Sequence, residues 1–443
     1  VSDTEGSAGT SEADTTDAAE RHASWPELFF DLVVVAGAGL LGHLIEDSEG
    51  LGSIALFAIA FGAFWMIWTC FTAYGNVRGD DARLPTFLAG MIVLGVMVAA
   101  VPGIHDEHAH AFAIAYIVGR VIAARPWHGA AVVVDLPVIQ AATGVLPWIV
   151  SLWFDGDAMY VWWAIGLTLD LAVLLRSRPD RVAAGAQARL DHAIDGRRER
   201  LEAHAAREER PTRSATRARR RAERRQRRLE VQARRGRGPR DIPTSIVALR
   251  ADTVHLAERF GLFTLILLGE GLIQVITSAS GAEWNRELGV AALGAFAFIV
   301  GLWNLSVRRG SAGLALLPEG AIPVRLQWVA HLVTSLCIVA MAAVMGAIVA
   351  DPGAEIDDHV AAVLVTALAV YLLAAGTTHA VLARRGHDRA ARLRAAWLLG
   401  AGVVAPLAAW LAHGYLDASA VVWILAAAVV TCGVAASRLT ADR

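Results

Sequence analysis

About twelve stretches of roughly 20 apolar residues run along this chain, and they constrain its fold more than any other feature. They lie near 27–46, 52–75, 84–103, 109–125, 129–153 and 158–176, then near 257–279, 287–306, 323–350, 359–383, 393–413 and 418–437. Backbone inside hydrocarbon must satisfy its own hydrogen bonds, so such runs are helices. The expected fold class is all-α: a polytopic integral membrane protein with about twelve transmembrane helices in two six-helix halves. Composition agrees, with 56% hydrophobic and only 19% charged residues, beyond the apolar share of ordinary soluble domains. The fourth and fifth stretches are the weakest, because "ARPWHG" separates them narrowly and Pro137 and Pro147 interrupt the fifth.

One motif argues for a different class. "VVVAGAGLLG" spells G-x-G-x-x-G at Gly37, Gly39 and Gly42. A dinucleotide site needs a strand before the glycines, a helix after them and an acidic residue about 20 positions on. Here the pattern breaks at "EDSEG", and the chain about 20 positions on reads "LFAIAFGAFWMIW", without a carboxylate. The glycines therefore belong to a membrane helix whose small residues, such as Ala38 and Gly42, permit close helix contact. No cofactor is implied.

Loop charge gives the orientation. "EDSEG", "HDEHAH", "FDGDA", "DPGAEIDDH" and "HGYLDA" are acidic or neutral, whereas "NVRGDDAR", "ARPWHG", "SVRRGSAG" and "ARRGHDRAARLR" carry arginine, and the two kinds alternate. By the positive-inside rule the arginine loops and both termini of this multi-pass protein are expected to face the cytoplasm. The expected organisation is an acidic disordered tail at 1–24, a membrane half at 25–176, a linker arm at 177–245, a second membrane half at 246–438 and a short tail at 439–443. The first 20 residues lack the apolar core of a signal peptide. The arm holds roughly 20 arginines against about ten carboxylates and few apolar residues, so it is expected to be partly helical and solvated. Its partners are the lipid bilayer and anionic lipid. Specific nucleic acid is disfavoured, since aromatic residues for stacking are missing. Self-association as a homo-oligomer is compatible with the sequence.

The halves resemble each other. "ELFFDLVVVAGAGLLGHL" from Glu27 parallels "ERFGLFTLILLGEGLIQV" from Glu258, and "RLPTFLAGMIVLGVMVAAV" from Arg83 parallels "RLQWVAHLVTSLCIVAMAAV" from Arg325. Six helices per half would give both halves one orientation, as in parallel-repeat transporters. Two of these stretches also carry a family resemblance. "RHASWPELFFDLVVV" resembles the opening signature of the bacterial low temperature requirement protein A family, and "HLAERFGLFTLILLGEGLI" is similar to its second signature. "NVRGDDARL" (Arg78, Asp81, Arg83), "AYIVGR" and "LTLDLA" fall where the family has comparable residues. The resemblance covers nearly the whole chain except the tail and the arm. It implies a polytopic inner-membrane protein linked by name to growth in the cold, and no settled activity.

The chemistry must come from polar residues inside the spans, where a charge costs about 2.5–3.5 kcal/mol on insertion scales. Glu27 and Asp31 are four residues apart, on one face of the first helix. His255, Glu258 and Arg259 cluster at the start of the seventh span. Arg259 and Glu270 share a face but are separated by about 16 Å along the axis, so each needs a partner from another helix. Asp135, Asp170, Arg120 and His331 complete the set, with Arg78 and Arg83 at the loop. The ion or proton site candidates are Glu27, Asp31, Glu258, Glu270, Asp170 and Asp135. Their charge partners are Arg120, Arg259, Arg78, Arg83, His255 and His331, with Arg120 expected beside Asp31 or Asp170. The excess of acids over bases suggests that some carboxylates hold cations or protons.

The favoured function is movement of a small ion or solute, proton-coupled, through Glu270 and Asp31. The rival is a non-transporting scaffold or sensor of membrane state that supports growth in the cold. No nucleophile arrangement can be assembled, so an enzyme is not expected. "HDEHAH" has metal-ligand residue types without ligand spacing, and Cys70, Cys337 and Cys432 each sit inside apolar runs.

Overall fold

In the computed structural model the described residues are 22–46, 50–127, 131–140, 143–208, 245–308, 322–386 and 389–441. The first membrane portion comprises α1 (Trp25–Leu41), α2 (His43–Glu46), α3 (Leu51–Arg78), α4 (Leu84–Ala100) and α5 (Ala109–Ala124). It continues through strand β1 (Ala131–Val133), α6 (Val145–Ser151) and α7 (Gly156–Arg176). Helix α8 (Pro179–Glu208) forms the first part of the arm, whose residues 209–244 lie outside the described residues. Strand β2 (Val247–Leu249) precedes α9 (Thr253–Gly281), α10 (Arg286–Trp303), α11 (Val324–Ala350), α12 (Asp358–Gly386), α13 (Arg389–Ala412) and α14 (Ala418–Ala441).

Ten helical segments among the described residues are long and apolar enough to cross a membrane, rather than the twelve expected. The shortfall is in the two stretches the sequence marked as weakest. Helix α5 has only 16 residues. The expected fifth helix, 129–153, is instead β1, a 3₁₀ turn at Pro137–Ile139 and the seven-residue α6. Pro137 and Pro147 have no N–H to donate, so one continuous helix is disfavoured. Irregular backbone at membrane depth survives only when buried in protein, and Val133, Leu136, Val138 and Ile139 are all buried. Gln140 stands in for missing backbone partners: it accepts from Val133 N–H at 3.2 Å and donates to the Ala131 carbonyl at 2.9 Å. Strand β1 also pairs in parallel with β2, Ala131 opposite Val247 and Val133 opposite Leu249, tying this segment to the chain just before α9.

Local signals start the helices that matter most. Ser24 caps α1 in a reciprocal box with Glu27, and Pro26 opens its first turn. The Asp252 carboxylate caps α9 by accepting from Val254 N–H at 3.0 Å and His255 N–H at 3.2 Å. Gly37 and Gly39 lie within α1, and Gly42 immediately follows it. A Cβ on Gly37 would strike Phe64 and Val98, one on Gly39 would strike Glu270, and one on Gly42 would press on Ala343. The glycine motif is therefore a packing seam.

Helices α3 and α11 form the centre, each with 78% of its most apolar window buried. Around them α1 packs on α3, α4 and α9, α4 on α5, and α6 on α7. In the second portion α9 packs on α10 and α11, α11 on α12, and α13 on α14. Helices α10 and α4 are more peripheral, at 50% and 44%.

Hydrogen bonds between connecting segments fall at two opposite ends. At one end Arg78 donates to the Pro126 carbonyl, Asn76 to the Asp252 carbonyl and Arg325 to the Ser177 carbonyl. At the other, Tyr160 donates to the Ile104 carbonyl, Ser419 to the Pro352 carbonyl, and His359 meets the Ile45 carbonyl.

Candidate functional site

The acidic residues of α1 meet the basic residues of α9. Glu27 and Asp31 are one turn apart, as are His255 and Arg259, so facing helices align two pairs. Arg259 Nη2 donates to Asp31 Oδ1 at 2.7 Å, and the Trp68 indole N–H donates to the same oxygen at 2.6 Å. Asp31 and Arg259 are both completely buried. Among the described residues Asp31 Oδ2 and Arg259 Nε and Nη1 have no hydrogen-bond partner, so the pair retains unused capacity on both sides.

One turn toward the helix starts, His255 Nε2 lies 3.6 Å from Glu27. Glu27 also accepts from Ser24 N–H at 2.9 Å and from its hydroxyl at 2.8 Å. The Asn76 amide lies 3.1 Å from His255 Nδ1 and exchanges backbone hydrogen bonds with Asp252, so it fixes both the ring and the start of α9. With Nδ1 accepting from that amide, the ring presents Nε2–H to Glu27.

His331, expected as a charge partner, is not beside a carboxylate. It accepts the Trp65 indole N–H at 3.1 Å and stacks on Phe260 and Trp68 with ring centroids 4.3 and 5.0 Å away. Trp328 closes this aromatic box from Trp65, Trp68 and Phe260. The box walls the Asp31–Arg259 pair away from water, in surroundings where an unpaired charge is most costly.

Glu270 has a different environment. Eleven residues along α9 from Arg259, it is half-buried against Gly39 of α1 and has no basic side chain at ion-pair distance among the described residues. Gln274, one turn on, donates to the Gly39 carbonyl at 3.3 Å, and its buried Oε1 has no partner among the described residues. Ser278, another turn on, faces Gly346 of α11. Glu270, Gln274 and Ser278 thus form a polar strip at four-residue spacing. Buried Val34 and Val35 of α1 and Phe263 and Leu267 of α9 separate this strip from the Asp31–Arg259 pair.

The remaining candidates lie elsewhere. Arg120 forms a buried ion pair with Asp170, as one of the two expected pairings had it, and also contacts the Tyr116 hydroxyl and donates to the Val138 carbonyl. Asp170 accepts from the Gly144 backbone and fills the space a Cβ there would need. This pair therefore holds the broken segment at two points, Val138 and Gly144. Asp135 accepts from Ala251 N–H at 3.0 Å, a latch beside the β1–β2 pairing. Glu258 sits near the surface, 3.4 Å from His22. Arg78 lies over the Trp127 ring at 5.2 Å, and the Arg83 backbone N–H donates to the Tyr74 hydroxyl. Among the described residues no group of three or more His, Cys, Asp or Glu could hold a metal ion.

Trp68, Asn76 and Gln274 were not singled out from sequence as functional. Asn76 left a trace as a lone amide at the end of an otherwise apolar helix. Trp68 lies inside an apolar span, and nothing local links it to Asp31, 37 residues earlier.

The ten membrane-length helices among the described residues, with buried charges paired at helix contacts, define a polytopic α-helical membrane protein. The family model described as bacterial low temperature requirement A protein (LtrA) matches residues 22–432, nearly the whole chain, and the protein belongs to that family. No match was found among curated proteins or solved structures.

Proposed function

We propose that this protein moves a small ion or solute, coupled to protons, along the interface of α1 and α9, with Glu270 as the group that meets it. The observation that carries this reading is the pairing pattern. Asp31, Asp170 and Glu27 each have a basic neighbour, while Glu270, deep in its span, has none among the described residues. A carboxylate there must be offset by a bound cation or a proton. The unused atoms of Asp31 and Arg259 support a second station: the pair has capacity to exchange one contact for another without leaving its place. Valine, phenylalanine and leucine between the two stations supply an apolar barrier.

The same proposal includes twelve crossings in two halves. The segment 131–154 starts at the β1–β2 end and reaches the end where Tyr160 contacts Ile104, which supports a crossing by broken structure. The end bearing Arg78, Arg125 and Arg325 faces the cytoplasm of the inner membrane by the positive-inside rule, as do both termini. Anionic lipid there is the partner of the arm.

A second reading is a non-transporting scaffold or sensor of membrane state. It is favoured by the closed geometry of both arginine pairs, each of which welds together segments far apart in sequence. Flux into proteoliposomes, measured with a panel of monovalent ions at two pH values, separates the two. Flux above that of empty liposomes supports transport. Its absence for every ion, with correctly inserted protein, supports the scaffold.

A further inference from the structure

We propose that the cavity beneath α8 binds an anionic phospholipid, with the lipid phosphate on Arg181 and Arg189 and an acyl chain along α7. The cavity has a volume of about 470 Å³ and lies between the start of α8, the end of α7 and the β1 segment. Its lining combines apolar residues, Val173, Val182, Leu190 and Ile246, with the two arginines. Two of its other polar groups are already engaged: Gln140 bonds to β1, and the Ser177 hydroxyl donates to the Leu174 carbonyl. Arg189 donates its Nε to the Gly185 carbonyl at 3.1 Å. Neither Arg181 nor Arg189 has a carboxylate at ion-pair distance among the described residues, whereas Arg198, farther along α8, is paired with Glu202.

The two arginines flank Gly185, four residues from each, on one face of α8. A Cβ on Gly185 would touch nothing, so the space between the arginines is open. Two positive groups without a carboxylate partner among the described residues, beside apolar side chains, suit an amphiphile with an anionic head better than a free anion or a neutral lipid. The location supplies the rest. On α7, Ile165 and Leu169 are exposed apolar residues, 39% and 41% accessible, and Val173 continues their four-residue row into the cavity. That row is a continuous track from the lipid-facing surface to the arginines. A phosphate at its end would sit where the apolar span gives way to the arm, at headgroup level. The site stands whether or not the α1–α9 interface conducts.

The test is a native mass spectrometry titration of the full-length protein with phosphatidylglycerol, phosphatidylcholine and inorganic phosphate. Phosphatidylglycerol is expected to bind the parent in preference to the other two. Arg181→Gln/Arg189→Gln, at exposed positions that leave the fold intact, should weaken binding about 30-fold, equivalent to about 2 kcal/mol. Ala186→Trp, which fills the apolar wall and keeps both arginines, should also abolish it. Arg197→Gln/Arg200→Gln, on the same helix beyond the cavity, should leave it unchanged. Equal loss in both arginine double variants would reduce the effect to diffuse charge and overturn the site. Equal binding of phosphatidylcholine, or of inorganic phosphate alone, would overturn the assigned ligand.

Discussion

Replacing Asp31 with asparagine tests the reasoning about the α1–α9 contact. The change keeps the side chain's shape and leaves an oxygen to accept the Trp68 indole N–H, so that hydrogen bond can persist. It removes the only carboxylate paired with Arg259 among the described residues, and Arg259 is completely buried. A guanidinium cannot shed its charge, so breaking this pair from the acidic side should cost about 3–5 kcal/mol. Arg259→Met breaks it from the other side and should cost less, because a stranded carboxyl can take up a proton. The double variant Asp31→Asn/Arg259→Met removes both charges and should recover about 2–3 kcal/mol of the summed losses. Reversible unfolding in mixed micelles, followed by tryptophan fluorescence, measures all four proteins. An Asp31→Asn protein within about 1 kcal/mol of the parent, or strict additivity in the double variant, would refute the claim that a buried ion pair joins these helices.

Asp170→Asn should likewise cost about 3–5 kcal/mol, since it strands Arg120, and limited proteolysis should show cleavage first within 131–144, the segment that pair braces. Gly42→Leu should destabilise by about 1–3 kcal/mol through overpacking against Ala343, and a neutral result in the same unfolding assay would count against the glycine seam. In the loop after α13, the His413 imidazole lies 2.9 Å from Asp358, and that hydrogen bond, with another to the Trp410 carbonyl, raises its pKa above the ordinary value of 6.5. Its proton is held more tightly in the folded chain, so the stabilisation is full below the unfolded pKa and is lost as pH rises through the folded one; NMR titration should show the raised value, and Asp358→Asn should lower it towards the ordinary one, leaving the smaller contribution of the Trp410 carbonyl. Cysteine at Arg178 should be shielded from impermeant thiol reagents in intact cells and cysteine at Tyr415 labelled, and the reverse pattern would invert the orientation.

Much of the candidate site was legible because helical spacing is a local property. Glu27 and Asp31, four apart, had to share a face, and Arg259 and Glu270, eleven apart, could not satisfy each other. Which helix supplies each partner depends on packing, which sequence spacing does not encode. Arg120 could have met either Asp31 or Asp170, and the broken segment decided it by bringing the Val138 carbonyl to the guanidinium. The fifth span looked apolar enough for a helix, but its prolines and the side-chain partners Gln140 and Arg120 made irregular backbone the better solution. His331 looked like a charge partner because histidine in a span invites that reading. Its neighbours Trp65, Trp68, Phe260 and Trp328 come from three helices, so the aromatic box could not be seen along any one of them.

The most direct measurement for the central claim is proteoliposome flux as a function of pH, comparing the parent with Glu270→Gln. Glu270 has no basic partner among the described residues, so glutamine strands no charge, and the variant should be at least as stable as the parent. The account predicts that this stable variant loses pH-dependent flux while remaining inserted. Unchanged flux in Glu270→Gln, or a variant destabilised by the 3–5 kcal/mol of a broken buried pair, would contradict it.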